Sequence, residues 1–354
     1  YYGLPELIYA MIRGIIDWTG RVIVVRKRWF TAIMVIALLL SSSLLTSCSS
    51  AEESTSMKAD VILFDVSSGL NAAGTFNSED HSVTSLSSRA SQLRTKLARA
   101  LDERTAIYFG FVRSNYGQQQ IETLVSPKLI QLMDKILEED VKDPQLRKVS
   151  REGIVKAWNS ILNSPKLANS ENCATQIANS IQSDSNLSIT DFHASQLAGS
   201  LCSNAQSATT QIDGLLNTPE NIGSDIQSAI DRSIEKLTSD ERRLFNAQNQ
   251  QIILIPTIIL VSDMIQVTNG ERITNILAGD AKMSDSCQRA KDEAKNYSIK
   301  MDGIALVSDG FASVKGNIKV ELRDKLREYW KCWFESRGIY DPDFGTRGIN
   351  IGEI

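Results

Sequence analysis

Residues 59–69 read ADVILFDVSSG, and they indicate the class of fold. Its first six residues form a short apolar run, which is typical of a strand buried in a parallel sheet. Asp65 follows this run directly, and a polar loop comes after it. In α/β sheets the ligand site lies beyond the carboxyl ends of the strands, so a carboxylate at this point is a candidate functional residue.

Further strands and helices alternate along the chain. Apolar runs predict strands at 105–112, 119–125, 251–261 and 301–307, the first two forming a hairpin about a turn at 115–117. Apolar residues at helical spacing predict helices at 85–101, 222–237, 284–295 and 319–336. Alternation of this kind predicts an α/β fold, a doubly wound and mostly parallel sheet with helices on both faces. Residues 127–216 carry helical patterns alone and predict an α-helical insertion.

The first 47 residues are predicted to be a secretory signal peptide. Three basic residues at 26–28 precede an uncharged apolar run at 29–40, and small residues lead to Cys48. The sequence LTSC at 45–48 resembles a bacterial lipobox, in which the signal peptidase cuts before a cysteine that carries a lipid. The alternative is a plain membrane helix, although the run is shorter than the roughly 20 residues of a stable span.

Two further features belong to this end of the chain. Residues 1–24 are long for a signal peptide, so they are either sequence upstream of the true start or an extra N-terminal helix. Residues 48–58 are expected to be the lipidated cysteine and a short flexible tether, because they are polar and rich in serine.

Four cysteines follow Cys48, and export to an oxidising compartment permits disulfides. Cys173 and Cys202 lie in one segment, and Cys287 and Cys332 form a candidate second pair. Four cysteines allow three pairings, and buried free thiols are an equal alternative for the second pair.

Three motifs resemble those of a von Willebrand factor A-like domain. DVSSG at 65–69 is similar to the family's D-x-S-x-S, and SD at 262–263 follows the central strand as in the family. GSDI at 223–226, followed by AI at 229–230, is similar to G-T-D-[IL]-x-x-A-[IL]. The resemblance implies one α/β domain formed by residues 59–126 and 217–338. Residues 127–216 are then an insertion between these two stretches, and residues 339–354 are a tail.

The resemblance also implies a metal-ion-dependent adhesion site. Carried over to this chain, Asp65, Ser67, Ser224 and Asp263 would hold Mg²⁺ or Mn²⁺ directly or through water, leaving a position open for a carboxylate of a protein partner. Hydroxyl and carboxylate oxygens are the hard ligands that these ions prefer. Gly69 stands where the family has a serine, so the motif is degenerate by one hydroxyl.

Each of these residues also has a structural alternative. Asp65 and Asp263 are able to accept hydrogen bonds from loop amides, and Ser67 and Ser224 are able to cap helices. Ser224 is well placed as the N-cap before Asp225.

Other conspicuous residues are expected to be structural. His193 is predicted to be a surface or packed residue, and Trp330 and Trp333 are predicted to face the core. Asp302 and Asp309, which flank a predicted strand, are expected on the surface or in turns.

Composition excludes several function classes. The net charge of −4 argues against nucleic acid as a partner, and only two histidines are present, His81 and His193. The sequence contains no nucleophile elbow, phosphate-binding loop or dinucleotide fingerprint, so an enzyme is not expected. The expected function is an exported binding module in the bacterial cell envelope, lipid-anchored on the periplasmic or extracellular side, that engages a protein partner. The alternative is a structural subunit of an envelope or secretion assembly with a vestigial metal site.

Overall fold

A six-stranded sheet lies at the centre of the fold, in strand order β3-β2-β1-β4-β7-β8. The structure is a computed structural model that describes residues 56–65, 86–113, 120–183, 188–217, 224–246, 249–268, 271–310, 318–345 and 350–354. Its strands are β1 (Ser56–Asp65), β2 (Thr105–Val112), β3 (Ile121–Val125), β4 (Ile253–Val261), β5 (Val267–Thr268), β6 (Glu271–Arg272), β7 (Ala305–Asp309) and β8 (Asp343–Gly345). β5 and β6 form a separate two-stranded sheet.

The sheet is mostly parallel. β1 pairs in parallel with β2 on one side and β4 on the other, β4 pairs in parallel with β7, and β7 with β8. Only β3 runs antiparallel among these six, because it follows β2 in a hairpin. These pairings confirm the predicted α/β fold class and the predicted hairpin.

Ten helices are described around the strands. They are α1 (Leu86–Ala100), α2 (Pro127–Asp140), α3 (Pro144–Leu162), α4 (Pro165–Ala168), α5 (Cys173–Ser183), α6 (Asp191–Asn217), α7 (Ile226–Glu241), α8 (Ile273–Ala278), α9 (Met283–Ala294) and α10 (Val320–Arg337). The helical run from α2 to α6 lies between β3 and α7, where the sequence predicts helices alone.

Helices pack on both faces of the sheet. On one face Lys96 of α1 forms a buried ion pair with Asp60 of β1, with 2.6 Å between Nζ and Oδ2. On the other face the hydroxyl of Tyr108 in β2 donates to Asp240 of α7 at 3.1 Å. Val61 lies beside Tyr108 in the strand register, and Asp60 precedes Val61, so the two contacts are on opposite faces.

Two disulfides tie helices together. Cys173 at the start of α5 is bonded to Cys202 of α6, and Cys287 of α9 is bonded to Cys332 of α10. These pairings are the ones considered from the sequence, and neither second-pair thiol is free. The indole Nε1 of Trp158 in α3 donates to the Leu97 carbonyl of α1 at 2.7 Å, which attaches the helical run to the sheet layer.

Some boundaries differ from the sequence prediction. β7 covers Ala305–Asp309 rather than 301–307, because Met301 lies in a turn before the strand. The stretch at 339–354, expected to be a tail, contributes β8 to the sheet edge and buries Ile351 against the core. Its contacts include the Gly352 carbonyl, which accepts from Arg99 of α1 at 2.6 Å. The tail is therefore part of the folded unit.

The residues Thr55–Ile354 form one compact unit, and its core runs from Met57 to Ile351. The predicted signal peptide, Cys48, Ser67, Gly69 and the turn at 115–117 lie outside the described residues. Within the described part of the chain, no helix has both the length and the apolarity needed to span a bilayer.

Candidate metal site

Three buried aspartates lie at the carboxyl ends of three neighbouring strands. Asp65 ends β1, Asp263 follows β4, and Asp309 ends β7. Phe64 pairs with Val261, and Val261 pairs with Asp309, so the strands end at the same level. We call this edge, comprising Asp65, Ser224, Ser262, Asp263 and Asp309, the crest.

Ser262 links the strand ends within the crest. Its hydroxyl donates to Oδ2 of Asp65 at 2.7 Å, and its backbone N–H donates to the Asp309 carbonyl at 2.9 Å. The same hydroxyl oxygen accepts from the backbone N–H of Met264 at 2.9 Å. Ser262 belongs to the third motif, SD at 262–263, but it was not among the predicted metal ligands. The structure shows that it bridges β1 to the loop after β4.

The loop after β4 is held in a defined turn. Oδ1 of Asp263 accepts from the Ile265 backbone N–H at 2.8 Å, which is a side-chain turn of the kind aspartate favours. Met264 has a left-handed backbone with φ of 62°, and its carbonyl accepts from the indole N–H of Trp330 at 2.8 Å. The fully buried Trp330 of α10 thus stabilises the loop after β4 by this hydrogen bond, and it faces the core as predicted.

Ser224, in the segment before α7, contacts the same loop after β4. Its hydroxyl donates to the Ile265 carbonyl at 3.2 Å, and its side chain is fully buried. Ser224 does not cap α7: Asp225 is the N-cap, and its carboxylate accepts from the Ser228 backbone N–H at 3.1 Å. The helix-cap alternative for Ser224 is therefore wrong, and its hydroxyl belongs to the crest.

The electrostatics of the crest are dominated by two carboxylates. Burial, and after it the charge of Asp65, raise the pKa of Asp263 to about 7. The Ile265 N–H and the charge of Arg272 oppose the rise without cancelling it. Like charges in a shared buried site disfavour ionisation of both, so this pair needs a proton or a cation nearby.

The third carboxylate has its own cation. Arg89 of α1 forms a buried ion pair with Asp309, and burial lowers the pKa of the Arg89 guanidinium. Asp309 is 1% exposed, so its prediction as a surface or turn residue is wrong, whereas Asp302 lies exposed in a turn as expected. Arg89 thus pairs with the carboxylate at the end of β7.

The side chains of the crest offer oxygen donors. Two carboxylates and the hydroxyls of Ser224 and Ser262 supply oxygen atoms alone, which suits Mg²⁺ or Mn²⁺. The crest therefore brings together three of the four sequence-predicted ligands, Asp65, Ser224 and Asp263, while Ser67 lies outside the described residues.

A second group of ligand-type side chains does not fit a metal. In the part of the chain that the structure describes, only Cys287, Glu328 and Cys332 form a close cluster of three such groups. The two cysteines are bonded to each other, so they offer no thiolate. This cluster is a disulfide beside an acidic side chain.

The one histidine among the described residues, His193, lies in the helical run between β3 and α7. Nδ1 of His193 in α6 is 2.9 Å from Oδ2 of Asp140 at the end of α2, which ties two helices together. The contact agrees with the packed role predicted for it.

Comparison of the sequence with models of known protein families, and with curated proteins, finds no match to this chain. The described residues of the crest come from all three motifs, with Asp65 from the first, Ser224 from the second, and Ser262 and Asp263 from the third.

Proposed function

We propose that this chain is an exported, lipid-anchored binding module of the von Willebrand factor A type, which engages a protein partner through a divalent ion at the crest. The observation that carries the proposal is the buried pair Asp65 and Asp263 on adjacent parallel strands, where the charge of one raises the pKa of the other. A divalent cation between them would relieve that repulsion.

The order of elements supports the family. The parallel core β2-β1-β4-β7, the hairpin strand β3 and the helices on both faces match what the resemblance implies. In this proposal α2 to α6 are the insertion between the two stretches of the domain. Trp158 attaches them to α1, and the Cys173–Cys202 disulfide ties α5 to α6 within the run.

The residues of the crest would have different roles in such a metal site. Asp65 and Asp263 supply negative charge, and Ser224, with Ser67 from the first motif, supplies hydroxyl oxygens. Ser262 fixes the carboxylate of Asp65 by a hydrogen bond, and Trp330 fixes the loop that carries Asp263. When bound, the ion would offer an open coordination position to a carboxylate of the partner.

The test is a calorimetric titration of Mg²⁺ and Mn²⁺ into Thr55–Ile354, a compact unit with its own core. We expect saturable binding that is lost in Asp65→Asn and in Asp263→Asn, since each change removes one charge and keeps the side-chain shape. Asp102→Asn, at an exposed position in the turn before β2 and so at the end of the sheet opposite the crest, is the matched control. Equal titrations of the wild type and both crest variants would contradict the proposal.

A second candidate is a structural subunit with a vestigial site. Gly69 lacks the hydroxyl of the family motif, and the Ser262 and Asp263 side chains already accept loop amides. In that case the crest braces the loop, and partner binding does not depend on metal. A chelator that leaves partner binding unchanged would favour this second candidate.

The anchor is proposed from Cys48 and the lipobox-like run before it. We expect the full chain expressed in a bacterium to incorporate labelled palmitate and to fractionate with membranes. Cys48→Ser is expected to lose the label, because the thiol is the site of lipid attachment. Labelling that persists in this variant would contradict the anchor.

A further inference from the structure

The opposite end of the sheet carries apolar side chains that no described element covers fully. Ile253 and Ile255 of β4 are 55% and 51% exposed, although they lie in a strand whose last four residues are buried. They occupy alternate positions and so lie on the same face. Ala305, the first residue of β7, lies on that face too, in register with Thr257, and is exposed. We call Ile253, Ile255 and Ala305 the base patch.

The register explains why this patch is open. β4 pairs with β7 only from Thr257 onward, so the stretch from Ile253 to Pro256 has β1 as its described neighbour and lies at a sheet edge. Pro256 is tolerated there because an edge position does not need every backbone donor. Ser56 and Lys58, beside Ile253 and Ile255 on β1, are exposed as well.

The base patch lies where the chain enters the domain. Ser56, the first residue of β1, is the register partner of Ile253. Seven residues separate Cys48 from Ser56. A chain of that length spans about 25 Å when fully extended and about 15 Å as a flexible coil. A lipid on Cys48 would therefore hold Ile253 close to the bilayer surface.

We propose that the base patch docks on the lipid surface to which Cys48 anchors the chain. This inference rests on the lipid anchor of the proposed function and extends it from a tether to a contact. Ile253 and Ile255 insert their exposed carbons at the boundary of head groups and acyl chains, while Lys58 lies at the rim beside lipid phosphates. The crest, at the other end of the same strands, then points away from the membrane toward a partner.

The lipid surface is favoured over a second copy of the chain by this connection. A tether of seven residues brings the patch to the membrane at high effective concentration, which adds to the affinity that the patch has by itself. A contact of two isoleucines and one alanine is far smaller than the 1,200–2,000 Å² that a stable dimer interface usually buries. Dimer formation is therefore an outcome for the test to detect, not the expectation.

The test uses Thr55–Ile354 without an anchor, so its outcome does not depend on whether Cys48 is lipidated or whether the crest binds metal. The probe is vesicles of phosphatidylethanolamine with a minor share of phosphatidylglycerol, and the readout is co-flotation over a series of lipid concentrations. The variant is Ile253→Thr with Ile255→Thr, which keeps β-branched side chains and strand propensity while removing apolar surface. The matched control is Val320→Thr with Tyr340→Thr, two exposed apolar side chains outside the base patch.

We expect the wild type and the control to float with the vesicles and the Ile253/Ile255 variant to partition at least about tenfold less, as the loss of buried apolar area requires. Unchanged thermal unfolding of the variant shows that the loss is not misfolding. Absence of flotation by the wild type, or equal flotation of the two variants, would overturn the proposal. Sedimentation velocity that finds a wild-type dimer, made monomeric by the Ile253/Ile255 change, would assign the patch to a second copy and also overturn it.

Discussion

The two ends of the central strands differ in which side chains they bury and which they expose. At the crest, Asp263 is 4% exposed and Asp65 is fully buried, although both carry carboxylates. At the base, Ile253 and Ile255 on the same strand are about half exposed. Each end reverses the usual rule that charges face water and isoleucines face the core. Departures of this kind mark positions where a sequence serves something other than its own stability.

The two departures are stabilised in different ways. The crest is held by an ion pair from α1 and by hydrogen bonds from α10 and from Ser224 in the segment before α7, so it is an ordered polar cluster. The base patch is held by the strand alone and has no covering helix among the described residues. The crest is therefore costly to disturb, whereas the base tolerates change, and the following four experiments test that contrast in order of expected effect.

The largest effect is expected at the Arg89–Asp309 pair. Arg89→Leu leaves Asp309 as a buried carboxylate without its guanidinium, so we expect the free energy of unfolding in urea to fall by about 3–5 kcal/mol. Adding Asp309→Leu in the same chain should recover much of the loss, because the uncompensated charge is then gone. Lys135→Ala, which breaks an exposed pair with Glu139, is the control and should change little. An Arg89→Leu variant as stable as the wild type would contradict the described contact.

The second experiment compares isoleucines of one strand. Ile258→Ala, at a fully buried position, is expected to lower the unfolding free energy by about 3 kcal/mol, since it leaves a cavity in the core. Ile255→Ala, three residues earlier, should cost about 1 kcal/mol or less because much of its side chain is already in water. Urea unfolding of both variants measures the difference. Similar losses at the two positions would mean that the base patch is covered.

The third experiment removes support from the crest loop. Trp330→Phe keeps the aromatic packing but deletes the N–H that donates to the Met264 carbonyl. We expect thermal unfolding to show a loss of about 2 kcal/mol, because a buried carbonyl loses its donor. The same variant should bind Mn²⁺ more weakly than the wild type, while its vesicle flotation stays unchanged. Weakened flotation with normal Mn²⁺ binding would reverse the assignment of the two ends.

The fourth experiment uses pH. The folded-state pKa of Asp263 is raised to about 7, above the unfolded value of about 3.9, so this group stabilises the metal-free protein below about pH 4 and loses that contribution as the pH rises through 7. In chelator, we expect the wild type to lose on the order of 1 kcal/mol more than Asp263→Asn between about pH 6 and pH 8. Parallel stability curves for the two proteins would show that Asp263 ionises normally.

Much of the sheet was predictable from local patterns. β2 has the predicted bounds, and β4 is the central strand indicated by the apolar run at 251–261, because buried parallel strands are apolar on both faces. The meeting of Asp65 and Asp263 follows from the same rule, since parallel neighbours end at one edge. β8 could not be predicted, because three residues of sequence DFG acquire strand geometry only by pairing with β7.

The missed residues of the crest depend on distant partners. Asp309 is buried because Arg89 meets it from 220 residues away in sequence. A signal did exist in α1, where Arg89 and Lys96 lie seven residues apart, near the apolar stripe of Leu93 and Leu97, and both are buried. Basic residues beside an apolar helix face indicate buried acidic partners, here Asp309 and Asp60.

The cap of α7 was misjudged for a local reason. Ser224 and Asp225 are both good N-cap residues, and sequence alone does not distinguish adjacent candidates. The choice of Asp225 is fixed by tertiary structure, because its backbone N–H donates to the Arg113 carbonyl at 2.9 Å and the Ser224 hydroxyl is turned to the Ile265 carbonyl.

Metal binding at the crest is measured directly by the electron paramagnetic resonance signal of free Mn²⁺ during titration with Thr55–Ile354. Binding to protein ligands broadens the sharp signal of the hydrated ion, so the decrease counts bound metal. We predict one Mn²⁺ per chain, displaced by excess Mg²⁺ and absent in the Asp65→Asn and Asp263→Asn variants. A signal that the wild-type protein leaves undiminished would contradict a metal site at the crest.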